Sequence, residues 1–124
     1  MQKLILLIAV IFGAFAVGLG AFGAHMLKPL LEQFGKVGTF ETAVKYHFYH
    51  TLLLLLIGVI LGTWHHKLFM YSAYSLIGGI ILFSGSLYIM SIFNYTKLGM
   101  ITPLGGLLFI AGWIMLGLGI YKSL

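Results

Sequence analysis

The stretch Tyr46-His47-Phe48-Tyr49-His50-Thr51-Leu52-Leu53-Leu54-Leu55-Leu56-Ile57 decides how this chain is to be read. Two imidazoles one helical turn apart run without a break into an apolar segment that continues to Gly62. No turn residue separates the two halves, so they belong to one helix, and its apolar half is of the kind that sits in lipid. The histidines then lie at or just inside a membrane boundary. Ionisable groups are costly there and face a partner, a ligand or a water-filled cavity.

Composition supports the same environment. Of 124 residues, 61% are apolar and only 7% charged, against about 25% charged in ordinary soluble chains. The mean hydropathy is +1.12. So little polar surface cannot coat a globule of this size in water. The formal charge of +5 comes from seven basic against two acidic residues. The lysines stand singly, without the clustering or aromatic interleaving that nucleic-acid binding needs, so no nucleic-acid partner is expected. Cysteine is absent, which excludes disulfides, thiolate nucleophiles and cysteine-based metal centres.

A membrane helix needs about 20 mainly apolar residues, and four segments qualify: 4–24, 42–62, 68–92 and 100–120. Lys3 before Leu4 to Phe12, with Ala14-Phe15-Ala16 behind, imitates a secretory signal. The apolar run continues to Ala24, so it is read as the first membrane helix. Short links at Trp64-His65-His66-Lys67 and 93–99 make consecutive helices antiparallel neighbours. The expected fold is all-α: an integral membrane four-helix up-down-up-down bundle forming a single domain over 1–124. Between the first two helices, Pro29 and Gly35 bracket a short helix over 29–35. Leu27, Leu30, Leu31 and Phe34 fall on one side of it, as in an amphipathic helix lying in the membrane interface. Gly35 and Gly38 are expected to loosen the chain before Thr39, which suits an N-cap. Glu41 and Lys45 have the order of an i,i+4 ion pair. Three lysines and the terminal amine on one side oppose four lysines on the other, so the positive-inside rule assigns no orientation.

Small residues mark where helices meet, because lipid offers no hydrophobic drive between them and close backbone contact takes over. The first helix carries Ala16, Gly20 and Ala24 on one ridge and Ala14 with Gly18 on another. The partners expected are therefore the lipid bilayer and, through such faces, a second copy or another membrane protein.

In the up-down arrangement the unusual residues collect in one half of the bundle. That half receives His25 from the end of the first helix and Tyr46, His47 and His50 from the second. It also receives Ser84, Ser86 and Tyr88 from the third and Thr102-Pro103 from the start of the fourth, with Thr102 as N-cap. Two readings stand for this cluster. The side chains are hydrogen-bonded struts between helices, or they form a site for a metal, haem or quinone-like ligand with His25, His50, Tyr88 and Thr102 around it. The other tyrosines read as an aromatic belt, the methionines as core filler, and His65 and His66 as solvated loop residues. No catalytic constellation is present. Aspartate is absent, Glu41 sits at a helix end, and Ser84-Gly85-Ser86 beside a histidine lacks an orienting acid. Neither an enzyme, a metal centre nor a bound cofactor is expected. An oligomeric channel or transporter is a further alternative, although no intramembrane charge marks a path.

Four motifs in register resemble a known family. They are Gly20-Ala21-Phe22-Gly23-Ala24-His25, Tyr46 with His50, Phe83-Ser84-Gly85-Ser86-Leu87-Tyr88, and Thr102-Pro103-Leu104-Gly105-Gly106 followed by Phe109 and Gly112-Trp113. The chain is similar, over nearly its whole length, to the small bacterial membrane proteins of domain of unknown function 423, a group that includes vertebrate transmembrane protein 256. The resemblance implies a four-helix, multi-pass protein of the bacterial plasma membrane, with no established biochemical function and no recognised catalytic residues. The position after Tyr46 is often Gln in such proteins and is His47 here. A role shared with them therefore rests on His25 and His50 rather than on His47.

Overall fold

A computed structural model describes residues 1–124 and contains helices and turns only. Six α-helices follow in order: α1 (Gln2–Ala24), α2 (Lys28–Phe34), α3 (Val37–Ile60), α4 (Lys67–Gly79), α5 (Gly85–Phe93) and α6 (Thr102–Ser123). A π-turn, Ile80–Ser84, joins α4 to α5, and a 3-10 turn, Thr96–Met100, precedes α6. Four continuous stretches are long and apolar enough to cross a membrane: Gln2–Ala24, Val37–Ile60, Lys67–Phe93 and Thr96–Ser123. The outward surface is hydrophobic along much of its length, with Val10, Phe15, Leu56, Ile81, Leu107 and Ile114 all more than half exposed. Water would not tolerate such a surface, and lipid matches it.

Residue contacts fix which helices pair and in which sense. Gly23 meets Phe40, Gly20 meets Val44 and Gly58 meets Leu6, so α1 and α3 run antiparallel. Ser72 bonds Gly112, Ser75 bonds Leu108 and Ser86 bonds Thr102, so the α4–α5 helix and α6 do the same. Ser84 reaches Ala43, which places α3 against the π-turn. The main contacts thus link α1 to α3, α3 to α4–α5, and α4–α5 to α6. In α1 only Ile5, Ala9 and Ala16 are buried.

The apolar core lies in the half of the molecule that holds both termini. Ile5 and Ala9 of α1, Leu54 and Ile57 of α3, Phe69 and Leu76 of α4 and Leu116 of α6 all belong to it. Polar side chains concentrate in the other half. Two serines of α4 lie among the apolar core residues: Ser72, fully buried, bonds the Gly112 carbonyl, and Ser75 bonds the Leu108 carbonyl.

Three local expectations are corrected. The second long helix starts at Val37, five residues before Thr42, so Thr39 is not its N-cap and Gly38 lies inside it. The cause is the tight end of α2. Gly35 adopts φ 64°, its N–H bonds the Glu32 carbonyl, and the Lys36 N–H bonds the Leu31 carbonyl. This six-to-one closure reverses the chain within a residue or two and leaves no loop to loosen. Thr102 is the first residue of α6 rather than its cap, because the 3-10 turn feeds directly into the helix and the Thr102 hydroxyl is taken up by Ser86. His66 caps α4, its Nδ1 accepting the Leu68 N–H at 3.2 Å, and is not simply solvated. The π-turn was not foreseen. Its wider winding, closed by Gly85 N–H on the Ile80 carbonyl, turns Ser84 toward α3 while Phe83 packs its backbone on Gly105 of α6.

Candidate functional site

The polar residues singled out from the sequence resolve into separate small groups, each joining helices. In the first, His50 is 6% exposed and has both ring nitrogens engaged. Trp113 Nε1 donates to His50 Nε2 at 3.1 Å, and His50 Nδ1 lies 2.8 Å from the Tyr46 carbonyl one turn back. An indole N–H can only donate and a carbonyl can only accept, so the proton sits on Nδ1 and Nε2 is the acceptor. The imidazole also lies flat on Phe109, with ring centroids 3.7 Å apart at 10°. Tyr46 lies beside this pair, 5.9 Å from His50 and 6.3 Å from Phe109, and tilts onto Phe83 at 4.7 Å. An aromatic stack thus ties α3 to α6 and to the π-turn.

The second group is His47 with Tyr88. His47 is 4% exposed, and its Nδ1 shares a 2.8 Å hydrogen bond with the Tyr88 hydroxyl of α5. The ring meets Phe12 of α1 edge-on at 6.0 Å. Its Nε2 has no hydrogen-bond partner in the chain, and neither does the buried Thr51 hydroxyl one turn further along α3. Both side chains face the α1–α3 contact, where the Phe12 backbone approaches the His47 ring and Gly13 lies beside the Thr51 methyl.

The third group holds the serines. Ser84 Oγ donates to the Ala43 carbonyl at 2.8 Å, and the Ser86 and Thr102 hydroxyls lie 2.6 Å apart, bridging α5 and α6. Further along α4, Ser72 and Ser75 donate to the Gly112 and Leu108 carbonyls at 2.7 and 2.6 Å. In each case a short side chain spends its hydroxyl on a main-chain carbonyl or a facing hydroxyl, as helices do when lipid supplies no competing water.

His25 stands apart from all of them. It follows α1 as an exposed residue and lines a shallow outer groove of about 280 Å³ with Gly18, Ala21, Phe22 and Met26. A second outer groove, about 390 Å³, begins one turn earlier along Ala14, Phe15 and Gly18. The larger cleft, about 550 Å³, opens between α1, α2 and α3. Gly20, Gly23 and Val44 form its wall, and Lys28, Glu41 and Lys45 line it as exposed charges. The structure therefore brings His47 to Tyr88, Tyr46 to His50 and Ser86 to Thr102. It does not gather His25, His50, Tyr88 and Thr102 around one cavity.

Sequence reasoning missed two parts of this arrangement. Trp113 is the donor that satisfies His50, and its position among exposed lipid-facing residues gave no sign of that. The cleft depends on how α2 folds back against α1 and α3, a long-range matter that residue spacing does not reveal.

The family model for a protein of unknown function (DUF423) matches residues 19–106, a span containing every polar group described except Trp113, with the Ser72 and Ser75 acceptors just beyond its end. The chain is 43% identical over 121 residues to a UPF0382 membrane protein of Staphylococcus haemolyticus, covering 98% of each chain. It is 40% identical over 124 residues to the UPF0382 membrane protein YwdK of Bacillus subtilis, covering 99% of this chain and 100% of that one. No solved structure matches the chain. With relatives that are bacterial membrane proteins and four helices able to span a bilayer, this chain belongs to the DUF423 family of multi-pass membrane proteins.

Proposed function

We propose that the protein is a non-enzymatic element of the membrane, an up-down-up-down bundle with α2 lying in the interface, that works by associating with a second copy of itself through the outer face of α1. The observation that carries this reading is the pair of opposed small-residue stripes on α1. The stripe of Ala9, Ala16, Gly20 and Gly23 is consumed by α3: Ala9 and Ala16 are buried, and Cβ atoms at Gly20 or Gly23 would meet Val44 or Phe40. The stripe of Ala14, Gly18 and Ala21 points the other way and lines the two outer grooves. A Cβ at Gly18 would meet nothing within 4 Å.

Small residues at four- and three-residue spacing on one helix face pair well with an identical stripe, since both backbones can then approach closely. His25 ends this stripe and can hydrogen-bond across such an interface, a role open to histidine between membrane helices. The polar groups inside the bundle support a structural reading, because most of them are already spent on one another or on carbonyls.

Crosslinking and native mass spectrometry of gently extracted protein test the proposal. A dimer or higher oligomer is expected, with Gly18→Ile reducing it and Gly85→Ile not, since both positions have space around them but only Gly18 lies on the stripe. Monomers alone, with no co-purifying membrane protein, would refute it. The reading of a small ligand such as haem, a metal or a quinone-like molecule has less support, because His50 has neither ring nitrogen free. Visible absorbance, metal content or an extractable small molecule in the purified protein would favour it instead.

A further inference from the structure

We propose that the cleft between α1, α2 and α3 is a seat for one phospholipid with a monoanionic head group that also carries hydroxyl donors, of the phosphatidylglycerol type. Its volume, about 550 Å³, lies within the range of small-molecule sites, roughly 300–1,000 Å³. The wall is apolar and low. Gly20 and Gly23 contribute no side chain, Val44 stands opposite, and Leu31 and Phe40 close the inner side as buried residues. An acyl chain suits this part of the wall.

The rim has the opposite character. The whole chain carries nine Lys and Glu residues, and three of them, Lys28, Glu41 and Lys45, line this one cleft. Lys28 sits just beyond the end of α1, Glu41 about one turn into α3 and Lys45 about two turns in, so the charges run down from the level of a head group. Lys28 opens α2, which is held in place by the Leu27 N–H bond to the Phe22 carbonyl, the buried Leu31 and the Gly35 closure. Lys45 stands on α3, one turn after Glu41. Two cations on different helices can straddle a phosphate, and a carboxylate beside them accepts from a hydroxyl. Two lysines against one glutamate leave the rim at +1, the complement of a single lipid phosphate.

Self-association would use the opposite face of α1, lined by Ala14, Gly18 and Ala21, so lipid binding and dimer formation can fail independently. The test is native mass spectrometry of the full chain in mixed micelles with phosphatidylglycerol and phosphatidylcholine in equal amounts. One net charge at the membrane surface corresponds to about a fivefold preference, and the wild-type chain is expected to retain one phosphatidylglycerol at that ratio. Lys28→Gln or Lys45→Gln makes the rim neutral and should abolish the preference. The double substitution leaves the rim at −1 and should reverse it.

Lys97→Gln with Lys122→Gln, which removes the same charge elsewhere, should leave the preference intact. All four lysines are exposed, so none of these changes disturbs packing, and unchanged helical circular dichroism verifies that. Equal retention of both lipids by the wild type, or equal loss in the Lys97 and Lys122 variant, would overturn the proposal. Displacement of the lipid by millimolar inorganic phosphate would also overturn it, because it would show a bare anion site with no use for the acyl chain.

Discussion

Replacing Gly105 by alanine should separate α6 from the π-turn and destabilise the protein, although alanine is the better helix former. A Cβ at this position would fall on the Phe83 backbone nitrogen and lie 2.7 Å from both the Phe83 Cα and Cβ. An ordinary contact starts at 3.4 Å, so relieving the Phe83 Cα and Cβ contacts takes a separation of about 0.7 Å, and relieving the closer nitrogen takes more. Backbone cannot rotate away as the tip of a side chain can. Overpacking of this kind costs about 1–3 kcal/mol. The bonds Ser75 to Leu108 and Ser86 to Thr102 flank the contact, and stretching each forfeits about 0.6 kcal/mol. Helix propensity returns about 1 kcal/mol. The net loss expected is about 1–3 kcal/mol. Reversible unfolding in mixed micelles, followed by far-ultraviolet circular dichroism, measures it. Gly117→Ala is the matched control on the same helix: nothing lies within 4 Å of its Cβ position, so it should be neutral or stabilising by up to about 1 kcal/mol. Gly105→Ala unfolding at the wild-type midpoint, or Gly117→Ala being the more harmful of the two, would refute the reasoning.

Three further tests probe the polar groups with the same unfolding assay. Thr51→Val keeps the shape and removes a buried hydroxyl that has no partner in the chain, so a gain of about 1 kcal/mol is expected; a loss would mean that the hydroxyl is engaged. Ser84→Ala removes the bond from the π-turn to the Ala43 carbonyl and should cost about 0.6–1.7 kcal/mol, with no cost if the turn is held by packing alone. His50 and Trp113 should couple in a double-mutant cycle of His50→Phe and Trp113→Phe, with an interaction of about 0.5–1.5 kcal/mol. Strict additivity would show that the 3.1 Å bond contributes nothing.

Much of the fold was legible because lipid imposes simple requirements. Length and hydropathy alone delimit helices that can cross a bilayer, and helix α2 was marked by Pro29 and Gly35 at its ends. Boundaries were less legible where a tertiary partner competes for a local signal. Thr102 has the chemistry of an N-cap, but Ser86 takes its hydroxyl. Gly38 looks like a breaker, but the closure at Gly35 has already turned the chain. The two small-residue ridges on α1 were visible in the sequence as well, yet nothing in their spacing said which one α3 would occupy.

The candidate site divides in the same way. The sequence by itself determined that the chain lives in lipid and where its helices able to span a bilayer lie. These follow from counts and periodicity, which are properties of the chain alone. Only the tertiary structure decided that His50 is closed by Trp113 and that His25 lies outside the cluster. It also placed Lys28, Glu41 and Lys45 around a single cleft. The reason is physical: hydrogen-bond partners and cleft walls come from residues far apart in sequence, and side-chain packing between helices sets which faces meet.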